Sequence, residues 1–164
     1  MNNVSFIGMA GCGKSTIGKA AASKFNLSFI DTDLLIEEEF DMSLENIKKE
    51  FGYKFVRSAE EKIILSLDLS SKIISTGGSA VYSINSMNHL KSFSKIIYIN
   101  TPLEIIMKRI NTGQGRGLAV PDGMSVSEVY SERKPLYEKF AEYTLDGGES
   151  IEGLIKLTEN IIYE

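Results

Sequence analysis

Gly8-Met9-Ala10-Gly11-Cys12-Gly13-Lys14-Ser15-Thr16 is the stretch that decides how this chain folds. It satisfies G-x-x-x-x-G-K-[ST] at every fixed position. Its flanks agree: Asn3–Ile7 is a short β-type run, and Ser15–Phe25 is a helix former with apolar residues at Ile17, Ala20, Ala21 and Phe25. Glycines at these spacings let successive backbone N–H groups curl around phosphate oxygens at the positive end of the following helix. Lys14 is then expected on the β- and γ-phosphates and the Ser15 hydroxyl on Mg²⁺. Gly11, Cys12, Gly13 and Thr16 complete the expected nucleotide contacts, with Cys12 read as a small residue at a variable loop position rather than a redox thiol.

Outward from this loop, strands and helices alternate. Ser28–Ile30 predicts a second strand closed by Asp31-Thr32-Asp33, and Lys72–Ser75 a third ending in Thr76-Gly77-Gly78-Ser79. Lys95–Ile99 and Tyr143–Leu145 predict the fourth and fifth. Helices are expected over Leu34–Phe40, Leu44–Phe51 (capped by Ser43), Val56–Leu69, Ser86–Lys91, Pro102–Ile110 and Ile151–Tyr163. A further helix is expected from Ser125 to Phe140, kinked or restarted near Pro135. Residues 111–124 are glycine-rich and read as a long functional loop of the lid type. The pattern is α/β, with a parallel sheet covered on both faces in three layers. The 164 residues fit a single domain, 1–164, with no repeat or linker.

Composition narrows the partners. A net charge of −4 speaks against general binding to nucleic acid or to anionic membranes. No apolar run reaches membrane-spanning length, the N-terminus reads without a secretory signal, and one cysteine makes no internal disulfide. A cytoplasmic protein is expected. Of 18 basic residues only Arg57, Arg109, Arg116 and Arg133 are arginine, so a planar, multi-donor cation is expected to matter where they stand.

The phosphate loop alone does not choose among switches, motors and kinases. No N-K-x-D guanine-reading motif occurs, and the chain is short for an ATPase motor. A small-molecule kinase needs an acceptor site, a lid and a cation beside the transferred group. Asp31 and Asp33 end a strand at the crevice where such folds bind ligands. One suits a Mg²⁺ site and the other the proton of an attacking hydroxyl, although a plain helix-capping pair fits the same residues.

The chain resembles the shikimate kinase family. The resemblance runs through the loop and its continuation Ile17-Gly18, Phe29-Ile30-Asp31-Thr32-Asp33, Gly52 to Arg57 and Glu60, Ser75-Thr76-Gly77-Gly78 with Ala80-Val81, and Arg133 with Pro135-Leu136-Tyr137. It covers nearly the whole chain in order. It implies a five-stranded parallel sheet in a P-loop NTPase fold, a mobile lid at about 111–124, an acceptor-binding helical segment at about 32–62, ATP as donor with Mg²⁺, and a monomer. By the same resemblance Asp31 joins Ser15 at the metal and Asp33 meets the acceptor hydroxyls. Arg57 and Arg133 clamp the acceptor carboxylate, with Glu60 orienting Arg57. Gly77, Gly78 and Ser79 lie against the acceptor, Arg109 stacks on adenine, and Arg116 reaches over the transferred phosphate with Lys14 and Asp33 as catalytic groups. The implied reaction is transfer from ATP to shikimate, giving shikimate 3-phosphate.

Departures gather in the acceptor pocket. Ser79 replaces a glycine, Lys48 and Val56 replace aromatics, Tyr53 replaces an acid, and Gly117 stands where the lid has proline. Phe51, Phe55 and Tyr53 are the neighbours able to refill the space. Two alternatives therefore stand beside shikimate: a kinase of another small hydroxylated carboxylic acid, and a non-catalytic nucleotide-binding regulator. His89 is expected on the surface, Glu37-Glu38-Glu39 on a solvated helix face, and Tyr130, Tyr137 and Tyr143 in packing roles.

Overall fold

A computed structural model describes residues 2–70, 72–111 and 118–164. Its five parallel strands are β1 (Val4–Ile7), β2 (Ser28–Asp31), β3 (Lys72–Ser75), β4 (Lys95–Asn100) and β5 (Tyr143–Asp146), in the order β2-β3-β1-β4-β5. Every residue of β1 and β3 is buried, as expected for central strands of continuous apolar character. β1 lies between β3 and β4, so the connections leaving it diverge and open a crevice at its C-terminal end.

The helices are α1 (Lys14–Phe25), α2 (Thr32–Phe40), α3 (Leu44–Phe51), α4 (Tyr53–Ser66), α5 (Ile84–Phe93), α6 (Leu103–Arg109), α7 (Val126–Phe140) and α8 (Ile151–Tyr163). α1 packs against α8, while α4, α5 and α7 gather around the 3₁₀ turn Ala80–Tyr82, so the sheet lies between two helical layers. One apolar core built on Val4, Phe6, Ile73, Ile97 and Ile99 fills these layers. A second, smaller core of Ile36, Ile47, Val56, Ala59 and Ala119 holds α2, α3 and α4 together beside the crevice.

Three details differ from the sequence expectation for local reasons. α4 begins at Tyr53 because Gly52, at φ 89°, turns the chain sharply after α3. This brings Phe55 against Phe51, with ring centroids 4.7 Å apart. α7 runs through Pro135 without restarting. Pro135 and Ser131, whose carbonyl loses its intrahelical partner, both face solvent, so water takes the lost bond. His89 is half-buried within α5 rather than on the surface; a ring nitrogen sits 3.1 Å from the Leu67 carbonyl at the end of α4, and its ring meets Phe93 edge-on.

Candidate active site

The loop between β1 and α1 forms a compact cradle. Gly13 takes φ 106° and leaves the first turn of α1 without a side-chain cap, so its N–H groups open into the crevice. Lys14 is almost wholly buried and its Nζ donates to the carbonyls of Gly8 (2.7 Å) and Met9 (3.0 Å). Thr101 Oγ1 and Arg109 Nη1 brace the loop from outside, donating to the carbonyls of Cys12 and Gly11 at 2.8 Å each. Cys12 is buried, its sulfur 3.6 Å from Lys14 Nζ. A cavity of about 390 Å³ runs over Gly11–Ile17 and past Arg109 to Gly147, Glu149 and Leu154. Thr16 and Arg109 both line it, as expected of nucleotide contacts.

Asp31 caps a helix and also reaches the phosphate loop. Its Oδ1 caps α2, accepting from the N–H groups of Asp33 and Leu34. Its Oδ2 accepts from Ser15 Oγ at 2.6 Å, and the Ser75 hydroxyl lies 3.1 Å from the same Ser15 oxygen. An all-oxygen set of one carboxylate and two hydroxyls suits a hard cation that keeps several waters, so these residues fit Mg²⁺.

Asp33 lies in the first turn of α2 and faces the crevice. Desolvation, and then the carboxylates of Glu60 and Asp31, push its pKa up to about 8. Glu60 is fully enclosed and also raised, chiefly by burial, against hydrogen bonds from Ser79, the Gly77 backbone and Thr32. Ser79 Oγ donates to Glu60 Oε2 at 2.7 Å and Thr32 Oγ1 to Oε1 at 3.2 Å, while Gly77 N–H donates to Thr32 Oγ1 at 3.0 Å. These bonds correct the expectation that Glu60 orients Arg57, because no ion pair joins them among the described residues. The Ser79 hydroxyl, the added group, has turned to Glu60.

Arg57 is held differently. Its Nε donates to the Ala119 carbonyl at 2.8 Å, and its guanidinium carbon lies 3.8 Å from the centre of the Tyr82 ring and 4.9 Å from that of Tyr53. Arg133 is 1% exposed, and its Nη2 has no hydrogen-bond partner among the described residues. Its Nε reaches Tyr82 Oη at 3.4 Å, and it forms no ion pair there. A buried guanidinium with an idle donor suits an anionic partner.

Gly77 and Gly78 are required by close approach. A Cβ on Gly77 would lie 2.5 Å from both Asp33 Oδ1 and Glu60 Oε1, and one on Gly78 would lie 2.6 Å from Arg133 Nη1. Tyr137 Oη donates to the Gly78 carbonyl at 2.7 Å, which pins this backbone against α7. A small pocket of about 30 Å³ lies between Asp33, Val56, Gly78, Ser79, Leu118, Ala119 and Arg133. It shares Ala10, Asp33 and Gly78 with the larger cavity, so the two meet at Asp33.

Arg116 and Gly117 lie outside the described residues, as does the rest of 112–117 in the expected lid. The described remainder of that segment is not an open loop throughout, since Ala119 and Val120 are buried. Lys48 pairs with Asp122 at 3.6 Å, and Val56 is buried in the smaller core. Phe55 packs on both Phe51 and Phe40, so among the three candidates for refilling only Tyr53 turns to a site arginine. Sequence reasoning missed Thr32, Ser75 and Tyr82. Thr32 was visible between the two acids and Ser75 at the end of β3, whereas nothing in the chain flagged Tyr82.

A phosphate loop opening onto an acidic crevice, with a second anion site at the crevice's far side, defines a P-loop small-molecule kinase. The described shikimate kinase family model matches residues 10–162. A shikimate kinase of Caldanaerobacter subterraneus is 34% identical over 149 residues, covering 89% of this chain and 86% of that one. One of Sulfurihydrogenibium is 32% identical over 138 residues, covering 84% and 83%. The crystal structure of shikimate kinase from Aquifex aeolicus superposes with a TM-score of 0.80 at 25% identity, over 96% of each chain. That from Acinetobacter baumannii in complex with shikimate gives 0.85 at 24%, covering 99% of this chain and 91% of that one. The chain belongs to the shikimate kinase family.

Proposed function

We propose that this protein transfers the γ-phosphoryl group of ATP to a hydroxyl of shikimate, giving shikimate 3-phosphate and ADP. Arg133 carries the reading: its buried guanidinium, with Nη2 unpartnered among the described residues, lines the same small pocket as Asp33, a carboxylate that faces both cavities. An acceptor whose carboxylate lies on Arg133 and Arg57 presents its far side toward Asp33 and the phosphate loop. Bidentate contact to a carboxylate fixes the acceptor's orientation as well as its affinity. The relatives' names, and the neighbour in complex with shikimate, support shikimate as that acceptor.

Asp33 then accepts a hydrogen bond from the attacking hydroxyl and takes its proton as the phosphoryl group leaves. Its proton affinity, raised by burial and by the Glu60 and Asp31 carboxylates, suits a proton acceptor, and positive charge at Ser15 and Asp31 would keep it ionised until the hydroxyl arrives. Lys14 exchanges the Gly8 and Met9 carbonyls for β- and γ-phosphate oxygens, and Arg116 adds charge from the lid. Ser15 and Asp31 would hold Mg²⁺, which would supply positive charge against the nucleotide's phosphates. Arg109 lies along the nucleoside end of the cavity. Leu118 and Ala119 line the 30 Å³ pocket, so a ring acid enters by displacing this stretch.

We take the protein to act as a monomer. The net charge of −4 supports the absence of nucleic-acid partners. No helix among the described residues is long and apolar enough to cross a membrane, and we place the enzyme in the cytoplasm. ADP release, coupled to NADH oxidation and measured over shikimate, quinate and homoserine, tests the reading. Turnover with shikimate above the others supports it, a preference for a non-ring acid overturns shikimate, and no turnover on any acceptor favours a regulator.

A further inference from the structure

Arg57 and Arg133 are two cations gathered about one tyrosine ring, and like charges so placed repel. The group expected to steady Arg57 is Glu60, yet both Glu60 oxygens are engaged by Ser79 and Thr32. What stands between the arginines is Tyr82. Its ring face lies 3.8 Å from the Arg57 guanidinium carbon, a cation–π distance, and 5.5 Å from that of Arg133. Its hydroxyl donates to Glu132, which leaves the phenol oxygen to accept from Arg133 Nε at 3.4 Å. We propose that Tyr82 is the positioning residue of the carboxylate clamp, holding Arg57 on its ring and Arg133 on its hydroxyl in place of a Glu60–Arg57 ion pair.

The local fold makes the substitution a single unit. Ala80–Tyr82 is one 3₁₀ turn, closed by Tyr82 N–H donating to the Ser79 carbonyl at 3.1 Å. With three residues per turn, that turn delivers the Ser79 hydroxyl to Glu60 and the Tyr82 ring to Arg57 together. Burial lowers the Arg57 pKa, with Tyr82 opposing this and Arg133 adding to it, as expected for a cation whose nearest compensation is aromatic. Tyr82 itself is half-buried, and it lines neither the nucleotide cavity nor the 30 Å³ pocket. Its influence on the reaction therefore passes through the arginines.

The inference rests on the shikimate kinase reading, and a double-mutant cycle on the full chain separates the two. Wild-type enzyme without turnover on shikimate defeats that reading before any variant is made. Given wild-type turnover, Tyr82→Leu is expected to raise the shikimate KM roughly tenfold, the sum of a cation–π contact and one hydrogen bond. Its kcat and ATP KM are expected to stay within about twofold. Tyr82→Phe keeps the ring and is expected to recover most of the loss, at about threefold; it carries the test if the Leu variant does not fold. Ser79→Gly frees Glu60 to pair with Arg57, so in that background Tyr82→Leu is expected to cost less than about threefold. An unchanged shikimate KM in Tyr82→Leu overturns the inference. So does a parallel rise in both KM values with a lower kcat and Tm, or an equal cost of Tyr82→Leu with and without Ser79.

Discussion

Replacing Arg133 by Met should make the protein more stable and nearly useless. Arg133 is 1% exposed, with an unpartnered Nη2 and no carboxylate paired to it among the described residues. Relieving one unsatisfied buried donor is worth about 1–3 kcal/mol, and Met refills most of the aliphatic volume. The weak bond lost to Tyr82 Oη, at 3.4 Å, offsets little of this. For a domain of this size about 1 kcal/mol moves Tm by about 2–4 °C, so Tm without ligands is expected to rise by about 2–10 °C. Shikimate binding should suffer the opposite fate. Truncating one partner of a buried charged contact costs about 2–4 kcal/mol, a 30- to 1,000-fold rise in the shikimate KM. Thermal denaturation with and without shikimate reads both effects. At about one hundred times the wild-type Kd the wild type gains about 2.7 kcal/mol from ligand, roughly 5–10 °C, whereas the variant should gain less than about 1 kcal/mol, at most about 3 °C. A variant that melts several degrees lower and still binds shikimate would show Arg133 to be a structural group, and the clamp assignment would fail.

The two adjacent glycines should fail in different ways. Gly77→Ala pushes its Cβ against Asp33 and Glu60, so kcat is expected to fall by about 10- to 100-fold, the usual cost of displacing a reacting group by about an ångström. Gly78→Ala instead presses on Arg133 Nη1 and should raise the shikimate KM more than it lowers kcat; identical profiles for the two would refute this division. Asp31→Asn keeps the α2 cap through its Oδ1 while weakening the cation site, so the Mg²⁺ concentration for half-maximal rate should rise at least tenfold with little change in Tm. Burial holds Glu60 above its ordinary 4.5, so the folded chain binds this proton more tightly than the unfolded one. That stabilisation is complete below about pH 4.5 and is lost as pH rises through the raised folded value. Chemical denaturation of Glu60→Gln across pH 4–8 should accordingly show a shallower loss of stability than wild type, and parallel curves would count against it.

The donor half of the site was legible because its chemistry is local. Gly8 to Thr16 carry the cradle within one turn of chain, and the strand and helix around it follow from periodicity. Asp31 and Asp33 were legible for the same reason, lying two apart at a strand end. The acceptor half is assembled from residues far apart in sequence, and side-chain direction decides it. Ser79 reads as an intrusion into the pocket until its hydroxyl is seen on Glu60, 19 residues away. Likewise Glu60 reads as the partner of Arg57 until Ser79 and Thr32 are found to occupy it. Tyr82 is an ordinary tyrosine in the sequence, and only the approach of α4 and α7 to one 3₁₀ turn places both arginines on it. Pro135 taught the converse: a local rule forecast a break that an exposed helix face tolerates.

The central claim is that two arginines hold a ring acid's carboxylate so that its hydroxyl meets Asp33 and the nucleotide. Initial rates of ADP release with shikimate and with its uncharged carboxamide, under the same Mg-ATP concentration, test it most directly. The account expects rapid turnover of shikimate and a kcat/KM at least a hundredfold lower for the carboxamide. Equal kcat/KM for the two, or no turnover of shikimate, would contradict it.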